Sequence, residues 1–175
     1  MKQMLAAQFE TTGEAHSVVQ VRTVDVPRPG VSEVLVEMQA APIQPADLMF
    51  IAGRYRWTLR LSQTAGLEGT GVAVEANSEH IAVGRRVSFR HPGAWAQYAV
   101  VPGGACHLVP PDIHLDAAAQ FAPNPVTAWA LLRESCASTG GTVVLSAARS
   151  AIATLVARLA ENGGIPHDQA RATVG

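Results

Sequence analysis

Lysine is almost missing from this 175-residue chain: Lys2 is the only one among 13 basic side chains, and the rest are arginines. That pattern reads as compositional bias and not as an anion site. Blocks of like charge are also missing, and the formal net charge is −1. Neither nucleic acid nor an anionic membrane surface is indicated as a partner. No apolar run approaches the ~20 residues of a membrane-spanning helix. The apolar part of residues 1–7 is too short for a secretion signal and meets Glu10 soon after, so a cytoplasmic protein is expected. Cysteine is scarce: Cys106 and Cys136 are the only two, expected as free, buried thiols and not as a disulfide. The histidines (His16, His80, His91, His107, His114 and His167) are scattered, with no usable His-x-His or Cys-x-x-Cys spacing. A zinc site needs three or four such ligands converging, so no bound metal is expected. Internal repeats and low-complexity segments are missing too.

What is present suits one ordinary domain, or one domain and part of another: 48% of the residues are hydrophobic. The first 110 or so residues read as many short strands with turn punctuation. Val34, Val36, Met38 and Ala40 alternate with Leu35, Glu37 and Gln39, as in a half-buried strand, and Val19 and Val21 alternate with Gln20 and Arg22. Further strands are expected at 5–9, 71–75, 86–89, 95–101 and 106–109. Close spacing of short strands indicates a barrel-like β unit. Pro45 suits a first helical position and Asp47 a first turn, so 46–51 reads as a short helix ending at Gly53. A second helix is expected at 116–121. Asn124 followed by Pro125 reads as a helix cap before 126–134.

The pattern changes after Gly140-Gly141. Residues 142–146 form a short apolar run without alternation, typical of a parallel strand covered on both faces. A turn of small residues follows, and Ile152, Leu155, Val156 and Leu159 then recur at helical spacing. This is the opening strand–turn–helix of a dinucleotide-binding fold. The next strand is due after Gly163-Gly164, yet residues 165–175 contain no apolar run, and no second strand is expected there.

Taken in order, several motifs resemble one family. They are Pro45-Ala46-Asp47 with Gly53-Arg54-Tyr55, Gly66-Leu67-Glu68-Gly69, Val83-Gly84-Arg85-Arg86-Val87, the segment 93–100, Asn124-Pro125-Val126-Thr127-Ala128, and the strand–turn–helix at 142–161. The chain resembles the zinc-independent medium-chain dehydrogenase/reductases, nearest to the 2-enoyl-thioester reductases and quinone oxidoreductases. The fold class implied is mainly β with α: a GroES-like, partly open β-barrel over residues 1–124, then the first strand–turn–helix of a Rossmann α/β domain over 125–175. The resemblance also implies that the chain stops within the Rossmann domain. Where zinc-bearing relatives place a cysteine, near 44–47, this chain has none, and Leu67 stands where they place a histidine.

Hydride addition to an enoyl thioester or quinone puts negative charge on a carbonyl oxygen. A phenol, protonated at neutral pH, can donate a hydrogen bond there, and one positioned donor is worth roughly 3–4 kcal/mol. The resemblance assigns that catalytic role to Tyr55. The plainer reading of Tyr55 is a barrel-surface ring against Trp57. Arg54 and Arg56 flank it, either as solvated loop charges or as attraction for an acyl-carrier phosphate. Asp47 is expected to hold its loop through backbone hydrogen bonds. The resemblance places Gln44, Asn124 and Thr127 at the cofactor, Gln44 where many relatives have asparagine; Thr127 also reads as an ordinary first-turn threonine. At the helix start, Ala148, Ser150 and Ala151 replace the usual glycines while still letting a pyrophosphate approach.

The implied cofactor is NADPH and the implied substrate an enoyl thioester or quinone. One strand and one helix make no cofactor crevice, so weak or no binding by this chain alone is expected. The apolar stripe of the last helix is then expected to lie exposed or to dock on another chain, possible homo-oligomers included. The alternative function is a non-catalytic GroES-like module acting in oligomerisation or partner binding.

Overall fold

The computed structural model describes residues 2–137 and 141–163, together with the backbone of 167–169. The chain divides into two compact units, Met1–Ala122 and Pro123–Gly175. Among the described residues no helix is long and apolar enough to cross a membrane.

In the first unit, β1 (Gln3–Phe9) pairs antiparallel with β2 (Gln20–Asp25) and with the two-residue β4 (Gln63–Thr64). The second sheet has the order β7 (Tyr98–Pro102), β3 (Glu33–Ala40), β5 (Glu68–Ala76), β6 (Arg86–Arg90), β8 (Cys106–Leu108), antiparallel throughout. The sheets meet at residues 95–97. The Ala7 amide donates to the Trp95 carbonyl (2.8 Å), the Gln97 amide to Leu5 (3.0 Å) and the Met38 amide to Gln97 (2.9 Å). The run expected as one strand over 95–101 therefore breaks into a corner that bonds β1 and a strand that bonds β3. This corner makes the expected partly open barrel.

Alternation along the strands builds the core. Val34, Val36, Val87, Phe89, Ala99 and Val101 form one buried cluster, and Phe9, Phe50, Ile51, Ala65 and Leu67 a second. Each large side chain so buried contributes roughly 1.5–3 kcal/mol. Leu35 points the other way and is buried as well; α3 (Leu115–Ala119) rests on β3, β5 and β6. The expected inward Val21 is instead 72% exposed. Register decides this: Arg22 and Val24 stand opposite the buried Ala6 and Met4 and are themselves half-buried, which leaves Val21 on the outer side. Helix α1 (Ala15–Val18) and β4 carry no periodic signal that sequence reading could use. Both cysteines are free, but Cys136 is exposed and Cys106 only half-buried, not buried as expected.

The second unit comprises α4 (Asn124–Glu134), β9 (Val143–Leu145), α5 (Ala151–Asn162) and β10 (His167–Gln169). Pro123, not Asn124, caps α4. Its carbonyl accepts from the Thr127 amide (3.0 Å) and from the Thr127 hydroxyl (2.8 Å). The second strand that was not expected is present: β10 runs parallel to β9, with His167 opposite Val143 and Gln169 opposite Leu145. Parallel pairing over three residues is made by backbone groups, so it needs no apolar run. The stripe on α5 is also less exposed than expected, because α4 packs along it. Ala153, Val156, Ala157 and Ala160 are buried, while Ile152, Leu155 and Leu159 are half-buried.

Candidate functional site

Helix α2 (Pro45–Ile51) begins with proline at its first position and Asp47 three residues after Gln44. Asp47 is 1% exposed. Its Oδ2 accepts from the Gln44 amide (2.7 Å) and its Oδ1 from the Leu67 amide (2.8 Å). One carboxylate thus ties the helix start to the entry of β5, the loop-holding role expected of it. Gly66, the residue before Leu67, passes close against Trp95. Its φ is +84°, and a Cβ there would lie 2.3 Å from Trp95 Cδ1. Only glycine meets both conditions.

Two residues on, Glu68 stands opposite Arg90 across β5 and β6. Arg90 closes β6 and reaches the loop after α2, where Gly53 (φ +71°) ends the helix. Its Nη2 donates to the Tyr55 hydroxyl oxygen at 2.6 Å. The guanidinium also lies 6.0 Å over the Trp57 ring, and the Tyr55 and Trp57 rings meet edge-on at 6.1 Å. Tyr55 therefore has the packing contact of the plainer reading and, in addition, a charged partner for its oxygen.

Electrostatics mark the same place. Glu68 is 3% exposed, and its Oε2 has no hydrogen-bond partner. Burial pushes its carboxyl up to about 7; the Arg90 charge opposes this, the Asp47 charge adds to it, and the Gln44 side chain opposes it. Burial also raises Asp47 above the usual carboxylate range, against the pull of its two amide bonds. A buried acid whose proton affinity is raised into the neutral range beside a fixed cation is a common mark of a functional cleft. Gln44 and Tyr55, two of the sequence-predicted residues, thus sit at one polar cluster whose other members are Asp47, Glu68 and Arg90. Read from sequence, Glu68 had no role beyond its place in a family motif, and Arg90 had none. Their juxtaposition is a product of strand register. Among the described residues no group of three His, Cys, Asp or Glu side chains could hold a metal ion.

The remaining predicted residues belong to the second unit. Ala147 (φ +51°) turns the chain after β9, and its carbonyl accepts from the Ser150 amide (2.8 Å). Ser150 Oγ caps α5 by accepting from the Ala153 amide (3.2 Å). Ala148 is half-buried and Ala151 exposed at the first helical position. A hollow of about 270 Å³ adjoins this turn, lined in part by Leu131, Val144, Ser146 and Ser150. Asn124 opens α4, and the Thr127 hydroxyl is turned back on the helix.

Residues 30–111 match the alcohol dehydrogenase GroES-like domain. The mitochondrial enoyl-[acyl-carrier-protein] reductase of Xenopus tropicalis is 32% identical over 169 residues, covering 90% of this chain and 46% of that protein. A mycobacterial protein complexed with NADPH superimposes with a TM-score of 0.83 at 25% identity, over 98% of this chain and 53% of its own. A quinone oxidoreductase from Pseudomonas syringae shares the fold, with a TM-score of 0.84 at 23% identity over 97% and 53% of the two chains. The chain thus spans about half the length of the relatives it matches. With its GroES-like half-barrel, its Rossmann-type strand–turn–helix and these matches, the chain belongs to the medium-chain dehydrogenase/reductase superfamily.

Proposed function

We propose that the chain carries the substrate-activating unit of a zinc-independent, NAD(P)H-dependent reductase acting on an enoyl thioester or a quinone, with Tyr55 as its catalytic residue. The observation that carries this reading is the 2.6 Å bond from Arg90 to the Tyr55 oxygen. Guanidinium has donors only, so the phenol must turn its own proton elsewhere. A carbonyl oxygen gathering negative charge is the acceptor such a proton suits. Support comes from the enoyl-[acyl-carrier-protein] reductase relative and from the NADPH-bound mycobacterial neighbour.

The turn before α5 fits a dinucleotide. Its side chains are small, the Ser150 hydroxyl takes up the Ala153 amide, and a helix start leaves further amides without helical acceptors. Ala148, Ser150 and Ala151 would hold the pyrophosphate there, and Gln44, Asn124 and Thr127 are the proposed contacts to the nicotinamide side. Reduced nicotinamide supplies a hydride when bound. Tyr55 meanwhile donates its hydrogen bond to the substrate oxygen, and Arg90 keeps that donor aimed. Binding by this chain alone is expected to be weak, checked by titrating the purified protein with NADPH and following the nicotinamide fluorescence.

The test is NADPH oxidation by the parent and by Tyr55→Phe, with a short 2-enoyl thioester and with a soluble quinone. Loss of one positioned donor lowers kcat by roughly 100- to 1000-fold. Equal rates in the two proteins would remove Tyr55 from the reaction. A second reading, a non-catalytic interaction module, draws on the exposure of Val126, Trp129 and Leu131 along α4. A stable oligomer by light scattering together with no turnover would select it.

A further inference from the structure

The Tyr55 ring sits on a loop, and loop side chains do not by themselves aim a hydroxyl within the tolerance that catalysis demands. Three contacts restrain it. The ring edge meets Trp57, the Arg56 guanidinium lies 6.0 Å over the ring, and Arg90 binds the oxygen. Among the described residues only the last acts on the hydroxyl itself. Arg90 is placed by β6, the strand between β5 and β8, and not by the loop, and its register partner is the buried Glu68. No ion pair ties Arg90 to Glu68 or Asp47 among the described residues, although its charge is felt at both.

We infer that Arg90 is a positioning residue for Tyr55, fixing from a rigid strand the direction in which the phenol donates. The inference rests on the proposed role of Tyr55 for its catalytic consequence, though the contact itself stands apart from that role. Arg90 occupies one lone pair of the Tyr55 oxygen. The single phenolic proton then lies on the side away from β6, where an incoming carbonyl oxygen can accept it. Lysine at this position keeps a donor but loses the planar fork, so it should restore direction only in part. Methionine keeps the length and loses the donor altogether.

Tyr55 and Tyr98 are the two tyrosines of the chain, which makes a direct readout simple. The whole chain is produced with 3-fluorotyrosine, as parent, Arg90→Lys and Arg90→Met, with Tyr98→Phe used to assign the two fluorine signals. The expected result is a shift and broadening of the Tyr55 signal in Arg90→Met, a smaller change in Arg90→Lys, and a Tyr98 signal that stays in place and reports an intact fold. A Tyr55 signal that does not move in either variant overturns the inference, whatever the catalytic activity. In the reductase assay, Arg90→Met should lower kcat about 10- to 100-fold with KM within about twofold, and Arg90→Lys should recover part of it. If Tyr55→Phe is inactive while Arg90→Met turns over like the parent, the positioning role fails and the role of Tyr55 stands. If Tyr55→Phe matches the parent, the role of Tyr55 fails, and the fluorine signals still decide whether Arg90 directs the hydroxyl.

Discussion

Replacing Glu68 with glutamine removes an ionisable oxygen from a site where ionisation is unfavourable, and the cost can be worked out from the structure. The carboxyl moves from 4.5 to about 7 on folding, chiefly through burial. At about 1.4 kcal/mol for each tenfold change in proton affinity, the corresponding ceiling is roughly 3 kcal/mol. Between these two values the folded chain keeps a proton that the unfolded chain has released. The parent therefore loses stability as pH rises through this window, and the loss is complete above about 7 and gone below 4.5. Glutamine has no such proton, so the variant lacks that slope. Urea unfolding of both proteins at several values between pH 4 and 8 isolates the contribution, because other titrating groups largely cancel in the difference. The two should match near pH 4, and Glu68→Gln should become more stable by up to about 3 kcal/mol near pH 8. A constant difference across the range, or a variant that weakens as pH rises, would refute the placement of Glu68 in a dry pocket.

Two further outcomes follow from packing and thiol chemistry. Gly71→Ala puts a Cβ 2.1 Å from the Glu37 carbonyl oxygen and 2.8 Å from Val36 Cγ1; the paired strands cannot part, so thermal melting should show a loss of about 3 kcal/mol or more. Gly104→Ala, where a Cβ meets nothing within 4 Å, should melt close to the parent. With an aromatic disulfide reagent at pH 8, the exposed Cys136 should react promptly. Burial pushes the Cys106 thiol up to about 11, so it should react roughly 100-fold more slowly than a free thiol; two prompt thiols would contradict its environment.

Much of this molecule is written locally. Proline at 45, Asp47 and Gly53 are enough to start and stop α2, because caps and glycine turns act over a few residues. The alternation through β3 and the helical spacing through α5 follow likewise from the chain alone, and so did the resemblance that named Tyr55. Even so, alternation shows only that a strand has two faces. Val21 went outward because β2 pairs with β1 in one register, and Leu35 was buried because α3 covers the second face. The strand at 167–169 escaped notice because backbone pairing leaves no hydropathy signal. The polar cluster shows the same division. Residues 44, 47, 55, 68 and 90 are spread over more than a third of the first unit, and no spacing rule joins them. Composition and local pattern settled which elements form and which side chains were available for chemistry. Only the tertiary structure, through the long-range register of β5 with β6 and the fold of the loop after α2, set Arg90 opposite Glu68 and within reach of Tyr55, and buried the Glu68 carboxyl so that its proton affinity rises.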